Sequence, residues 1–128
     1  KIIVLVGDGE CDEGMVWEAL MSASNYDLQN FIFIVDRNGL QSDGNKSNIM
    51  DQKDLCSKLT AFGFCANEID GHNHGQIRNA LLNEGPLPKA IVANTIKGKG
   101  VSFMEDPSWH CKVPTDDEYK QAMKELEV

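Results

Sequence analysis

Apolar residues along this chain gather into short runs parted by polar segments rich in Gly, Asn and Asp. Lys1-Ile2-Ile3-Val4-Leu5-Val6 is almost purely apolar. A run without alternation predicts a strand buried on both faces, the pattern of a parallel sheet. Phe31-Ile32-Phe33-Ile34-Val35 is a second apolar run and predicts a second strand. Residues 62–69 alternate in part and predict a third strand nearer the sheet edge, and residues 89–95 predict a strongly apolar fourth. Between the first two strands, residues 11–26 have helical character, with Met15, Trp17, Ala19, Leu20 and Ala23 apolar. The small residues Gly14, Ala19, Ser22, Ala23 and Ser24 on that helix suit close approach either to its own sheet or to another backbone.

A second helix is expected over residues 51–60 with Asp51 at its cap. A third is expected over 76–83, with Ile77, Ala80 and Leu81 on one face. Gly85-Pro86-Leu87-Pro88 breaks that helix. Thr115-Asp116-Asp117-Glu118 opens a last helix running to about Glu127, with acidic residues in its first turn. Residues 39–48 and Lys97-Gly98-Lys99-Gly100 predict loops, the latter flexible. Strand and helix alternate throughout, which demands parallel pairing and right-handed crossovers. The fold class is therefore α/β: a parallel sheet with flanking helices. The pattern alone fits any doubly wound fold, a flavodoxin-like one included.

Length and charge narrow the classes. The 128 residues predict a single domain, 1–128, able to bury roughly two-thirds of its unfolded surface. A formal charge of −8 gives nucleic-acid binding no electrostatic support. Any phosphate ligand must be bound by a metal and local dipoles. Cys11, Cys56, Cys65 and Cys111 form no C-x-x-C pair, so neither a zinc site nor a thioredoxin-type motif is indicated. Reduced thiols in a cytoplasmic protein are expected. The opening run does not read as a signal peptide, and no stretch is long enough to span a membrane.

Candidate chemistry lies where the first two strands end. The first runs into Gly7-Asp8-Gly9-Glu10 and the second into Asp36-Arg37-Asn38-Gly39. Asp8 and Asn38 thus come to the carboxyl edge of one sheet, where open α/β sheets bind ligands. Mg²⁺ takes oxygen ligands, commonly a few protein groups completed by phosphate oxygens. Asp8 offers a carboxylate, Asn38 an amide oxygen, and the Leu40 carbonyl a third donor. Gly9 permits close approach of backbone to a phosphate, and a following helix start offers N–H groups to an anion. Gly-Asp-Gly by itself is also an ordinary tight turn. Its pairing with Asn38, thirty positions on and also after a strand, favours the site.

Gly7-Asp8-Gly9 through Asn38 resembles the thiamine-diphosphate signature. With Glu13-Gly14, Trp17-Glu18-Ala19, Asn38-Gly39-Leu40-Gln41, Asp43-Gly44, residues 97–105 and Trp109-His110, the chain resembles transketolase, and within it the N-terminal subunit of the split type. The resemblance covers nearly the whole chain. It implies the thiamine-diphosphate-binding fold and transfer of a two-carbon ketol unit from a ketose phosphate to an aldose phosphate. Thiamine diphosphate and Mg²⁺ (or Ca²⁺) would be the cofactors. Asp8, Asn38 and Leu40 would be metal ligands, with Gly7, Gly9 and Glu10 at the diphosphate. The resemblance also implies a pyrimidine-binding subunit or domain as partner, in a dimer or heterotetramer. Because the chain opens inside a strand at Lys1, it is expected to be the C-terminal half of such a domain, inactive alone.

Two further residues take roles from the resemblance. Glu13 by position is a first-turn carboxylate favoured by a helix dipole; the family implies a carboxylate network joining two cofactor sites across a subunit boundary. His110 by position is a loop histidine; the family implies an imidazole near the diphosphate and the sugar, able to donate to phosphate or shuttle a proton. The family's usual Gly after this His is Cys111 here. Lys97 and Lys99 suit either a mobile basic loop or closure over an anionic sugar. His72 and His74 read as structural or surface. Rival readings keep the cofactor but change the substrate, as in deoxyxylulose-phosphate synthase or a specialised sugar transketolase, or make the chain a non-catalytic truncated partner subunit. Trp109-His110-x-Lys112-x-Pro114 favours transketolase.

Overall fold

A computed structural model describes residues 1–41, 44, 45 and 49–126. In chain order the elements are β1 (Ile2–Gly7), α1 (Gly14–Asn25), β2 (Phe31–Arg37), a two-stranded antiparallel hairpin of β3 (Leu40–Gln41) and β4 (Gly44–Asn45), α2 (Leu55–Ala61), β5 (Cys65–Asp70), α3 (His74–Leu82), β6 (Lys89–Asn94) and α4 (Asp116–Leu126). The main sheet has four strands in the order β1-β2-β6-β5, and every neighbouring pair is parallel. The expected α/β class is therefore the observed one. Among the described residues no helix is long and apolar enough to cross a membrane.

The core lies on the two central strands and the helices against them. Phe33 and Val35 of β2 and Ala90 and Val92 of β6 are buried with Leu20 and Ala23 of α1, Leu55 and Leu59 of α2, and Phe64. Phe64 meets Phe31 edge-on at 6.2 Å between ring centroids. Truncating it to Ala removes a fully buried aromatic from under α2, a loss of about 3–5 kcal/mol.

β1 departs from expectation. Its apolar side chains do not lie buried on both faces: Ile2, Ile3 and Val4 are exposed and Leu5 is 66% exposed. The reason is topological. β1 is an outer strand paired only with β2, and the helices pack chiefly over β2 and β6, so the burial on both faces that its apolar run predicts is found at those central strands instead. β5, predicted nearer the edge, is the other outer strand.

The helix boundaries also shift, each for a local reason. A 3₁₀ turn, Glu10–Asp12, comes first, and Glu13 is extended (φ −81°, ψ 132°), so α1 starts at Gly14 rather than Cys11. The second helix does not begin at Asp51. Lys53 has φ +52°, incompatible with a right-handed helix, and Asp54 is the cap, its Oδ1 accepting from the Ser57 N–H at 2.9 Å. Residues 62–64 form the turn leaving α2 rather than strand, with Gly63 at φ +91°. Asn73 caps α3 through the Gln76 N–H at 3.0 Å, which brings the start forward to His74. At the last helix Thr115 and Glu118 cap reciprocally: Thr115 N–H donates to Glu118 Oε2 at 2.8 Å and Glu118 N–H to Thr115 Oγ1 at 3.3 Å. Residues 97–100 are hydrogen-bonded turns, with Lys99 N–H donating to the Ile96 carbonyl and Val101 N–H to that of Gly98. Much of the predicted loop at 39–48 lies outside the described residues.

Candidate functional site

The parallel register brings the strand ends together. Gly7 stands opposite Asp36, Asp36 opposite Ala93, and Arg37 opposite Asn94. Beyond them the chain crosses between strands. Asp8 N–H donates to the Asp36 carbonyl at 3.1 Å, and Thr95 N–H to the Arg37 carbonyl at 3.1 Å. Thr95 Oγ1 donates to Asp36 Oδ1, tying the end of β6 to that of β2.

Asp8 is the buried charged side chain of this edge, only 4% exposed. Its Oδ2 accepts the Gly39 N–H at 2.9 Å, which joins the loop after β1 to the loop after β2. Gly39 reaches that position with φ +73°, a conformation glycine adopts freely. Asn38 Oδ1 accepts the Leu40 N–H at 2.9 Å, a tight Asx turn that fixes the side-chain oxygen beside the Leu40 backbone. Asp8, Asn38 and Leu40, predicted from the sequence to lie at one sheet edge, are thus brought together through hydrogen bonds to the Gly39 and Leu40 N–H groups.

The Gly7-Asp8-Gly9-Glu10 loop is closed on itself. Glu10 Oε2 accepts the Gly7 N–H at 2.6 Å. Asp12 N–H donates to the Gly9 carbonyl at 3.1 Å, forming the 3₁₀ turn. Trp17 Nε1 donates to the Cys11 carbonyl at 2.8 Å and its ring packs on Phe62 at 5.0 Å, so α1 and the end of α2 hold the loop from behind. Gly9 itself has ordinary right-handed dihedrals (φ −63°, ψ −38°). Its place in the loop therefore does not require glycine on conformational grounds.

The donor set suits a hard cation. A buried carboxylate is costly as an anion unless donors or a cation compensate it. Here the candidate donors are the Asp8 carboxylate from the loop after β1 and the Asn38 amide and Leu40 backbone carbonyls from the loop after β2, all oxygen. Among the described residues no three His, Cys, Asp or Glu side chains converge on a metal position. An all-oxygen set of this kind is the type that hard cations such as Mg²⁺ take, with further oxygens from phosphate and water.

The other predicted residues divide. The Pro107–His110 turn packs against β3, which brings the segment carrying His110 to the side of the site where Leu40 lies. Phe103 packs at a tilt on Trp109 with 5.2 Å between ring centroids, and Lys112 Nζ lies 4.0 Å from the Trp109 ring centroid, so this turn has its own small anchor. His110 is exposed. Cys111 has φ −128°, open to any L residue, so the chain path does not depend on glycine there. Glu13 is exposed between the 3₁₀ turn and α1 and makes no cap bond with its side chain. It is not drawn into the Asp8–Asn38 unit. On α1, Leu20 and Ala23 face the core while Met15, Ala19 and Met21 are exposed. His72 proves structural: its Nε2 accepts the Ile96 N–H at 2.8 Å.

One participant carried no signal in the sequence. Gln52 Nε2 donates to the Asp8 carbonyl at 3.2 Å and to Asp12 Oδ1 at 2.7 Å. A glutamine 44 positions after Asp8 belongs to no motif, and only the fold brings it there.

Residues 1–127 match the family model described as transketolase, thiamine diphosphate binding domain. The chain belongs to this family. It is 43% identical over 129 residues to an apulose-4-phosphate transketolase subunit from Actinobacillus succinogenes, covering 98% of this chain and 47% of that protein. It is 39% identical over 129 residues to human transketolase, covering 98% of this chain and 20% of that protein. In three dimensions it matches the crystal structure of transketolase from Campylobacter jejuni with a TM-score of 0.91 at 29% identity, covering 98% of this chain and 20% of that one. The chain thus spans about half, or less, of the length of the transketolases it matches. It is a transketolase-type thiamine-diphosphate-binding domain in sequence and fold.

Proposed function

We propose that this chain is the diphosphate- and metal-binding portion of a transketolase that moves a two-carbon ketol unit from a ketose phosphate to an aldose phosphate. The observation that carries this is the joining of Asp8, Asn38, Gly39 and Leu40 into one unit at the carboxyl edge of the sheet. In this reading the Asp8 carboxylate, the Asn38 amide oxygen and the Leu40 carbonyl hold Mg²⁺. Gly7, Gly9 and Glu10 line the diphosphate, with the Gly9 and Glu10 N–H groups donating to it. Bound thiamine diphosphate would supply the carbanion-stabilising chemistry, while the protein binds and orients.

His110 acts at the substrate end, where its imidazole donates to phosphate or substrate oxygens and holds or passes a proton. The packing of its turn against β3 supports that place. Glu13, exposed at the start of α1, is assigned to the contact with a partner subunit rather than to the metal site. A pyrimidine-binding subunit or domain completes the site, in a dimer or heterotetramer. The exposed apolar β1 and the exposed Met15 and Met21 support association with further protein. All four cysteines are thiols rather than disulfides, in keeping with a cytoplasmic location.

The test is a ketol-transfer assay across a panel of ketose phosphate donors. The 128 residues alone are expected to transfer nothing, and the assembly with a pyrimidine-binding partner is expected to be active. Transfer by the isolated chain would contradict this division of the catalytic groups. An assembled enzyme that binds cofactor but accepts no ketose would contradict the reaction assigned.

A further inference from the structure

Gln52 is half-buried on a short turn that is fixed at several points. Lys53 N–H donates to Asp51 Oδ1 at 2.8 Å, and Leu55 N–H to the Lys53 carbonyl at 3.0 Å. That same carbonyl accepts from the Arg37 guanidinium at 3.3 Å, and Arg37 pairs with Glu68 at 3.2 Å. Arg37 is the last residue of β2, next to Asn38. The turn bearing Gln52 is therefore built onto the same strand end that supplies the second half of the site.

From this turn the Gln52 amide reaches both ends of the Asp8–Asp12 loop. Its two partners, a backbone carbonyl and a carboxylate oxygen, are both acceptors, so the NH₂ group faces them and one hydrogen goes to each. The contact to the Asp8 carbonyl has a geometric consequence. A trans peptide is planar, with its C=O and N–H pointing in opposite directions. Fixing the Asp8 carbonyl toward Gln52 therefore aims the Gly9 N–H the other way. The next peptide is fixed likewise, because the Gly9 carbonyl accepts the Asp12 N–H at 3.1 Å, which sets the direction of the Glu10 N–H. Asp12 is itself a partner of Gln52 through its side chain, so Gln52 fixes the first peptide directly and braces the residue that fixes the second.

We infer that Gln52 is a positioning residue for the diphosphate: it orients the Gly9 and Glu10 N–H groups as anion donors before any ligand arrives. This rests on the proposal that these N–H groups meet the diphosphate. It assigns Gln52 no contact with the cofactor. Its effect is preorganisation, which appears as affinity rather than as chemistry.

The test uses the intact enzyme that carries this chain, with Gln52→Met and Gln52→Glu. Thiamine diphosphate is titrated calorimetrically at saturating Mg²⁺, and the melting temperature of the cofactor-free protein and kcat at saturating cofactor are measured alongside. Gln52→Met keeps the length and loses both donors; cofactor affinity is expected to fall about 10–100-fold, as for other residues that orient a binding group from behind. Gln52→Glu sets acceptor against acceptor at both contacts and is expected to lose more. Loss of the two bonds should lower the cofactor-free melting temperature modestly, more in Gln52→Glu than in Gln52→Met, while saturated kcat stays at the parent value because Gln52 touches no reacting group. Parent affinity in both variants overturns the assignment, and so does a fall in saturated kcat as large as the fall in affinity. Asp8→Asn serves as the companion. If it abolishes binding while Gln52→Met binds normally, only the role of Gln52 is refuted. If Asp8→Asn binds like the parent, the site itself is misplaced and the role of Gln52 falls with it.

Discussion

The backbone N–H of Gly39 donates to Oδ2 of Asp8 at 2.9 Å, across 31 positions of sequence. This bond joins two strand-end loops and holds the Asp8 carboxylate beside the Asn38–Leu40 turn. It depends on a left-handed backbone at Gly39, φ +73°, and a Cβ built there would meet no atom within 4 Å. Gly39→Ala should therefore suffer from conformation alone, at a cost of about 1–2 kcal/mol. Urea unfolding checks that magnitude. Relief of the strain would swing the N–H away from Asp8, so Mg²⁺-dependent cofactor affinity should fall as well. A variant with parent stability and parent affinity would mean that the left-handed turn is not what holds Asp8.

His110→Ala in the assembled enzyme should lower kcat/KM for the sugar substrates by about 10²–10⁴-fold, the usual loss when a positioned proton donor is removed. Cofactor and Mg²⁺ affinity should change far less, since Asp8, Asn38 and Leu40 lie on other loops. Cys111→Gly should alter neither quantity, because φ −128° at that position places no demand for glycine. Steady-state kinetics of the two variants distinguish the outcomes. An unchanged kcat/KM in His110→Ala would return His110 to an ordinary surface residue.

The cap of α4 gives the fold a defined acid sensitivity. The Lys112 ammonium and then the Thr115 N–H and hydroxyl draw the Glu118 carboxyl down to about 2, from 4.5 in the unfolded chain. A carboxyl whose folded pKa is depressed contributes stability above its unfolded pKa and loses it as pH falls through the folded value. The contribution should thus be complete above about pH 4.5 and vanish by about pH 2. Glu118→Gln removes the Lys112 ion pair and should lower the denaturation midpoint at neutral pH while flattening its dependence between those limits. A parallel shift with undiminished slope would assign the acid sensitivity to other carboxylates.

The central strands and the meeting of Asp8 with the Asn38–Leu40 turn were legible because they rest on local signals. Apolar runs mark β2 and β6, Gly-Asp-Gly and Asn-Gly mark the strand ends, and Thr115-x-x-Glu118 marks a capping box realised in both directions. What depended on long-range packing was not legible. The Ile2–Leu5 run is as apolar as that of β2, yet strand order puts it at an edge. The sequence points to Asp51 as the cap of the second helix, and the left-handed Lys53 moves the cap to Asp54. Gln52 has no neighbour within its own stretch to reveal it. Its partners lie 40 and 44 positions earlier and meet it only when α2 has packed on the sheet.

The most direct measurement is a calorimetric titration of thiamine diphosphate, with and without Mg²⁺, into the intact enzyme and its Asp8→Asn variant. Asparagine keeps an acceptor for the Gly39 N–H and nearly the same volume, so the fold should be preserved, as a matching far-ultraviolet spectrum and melting temperature would show. It removes the charged oxygen donor from the metal set. Tight, Mg²⁺-dependent binding is expected in the parent and none measurable in Asp8→Asn. Equal affinity in both proteins, or binding in the parent that ignores Mg²⁺, would contradict a cofactor site built on Asp8.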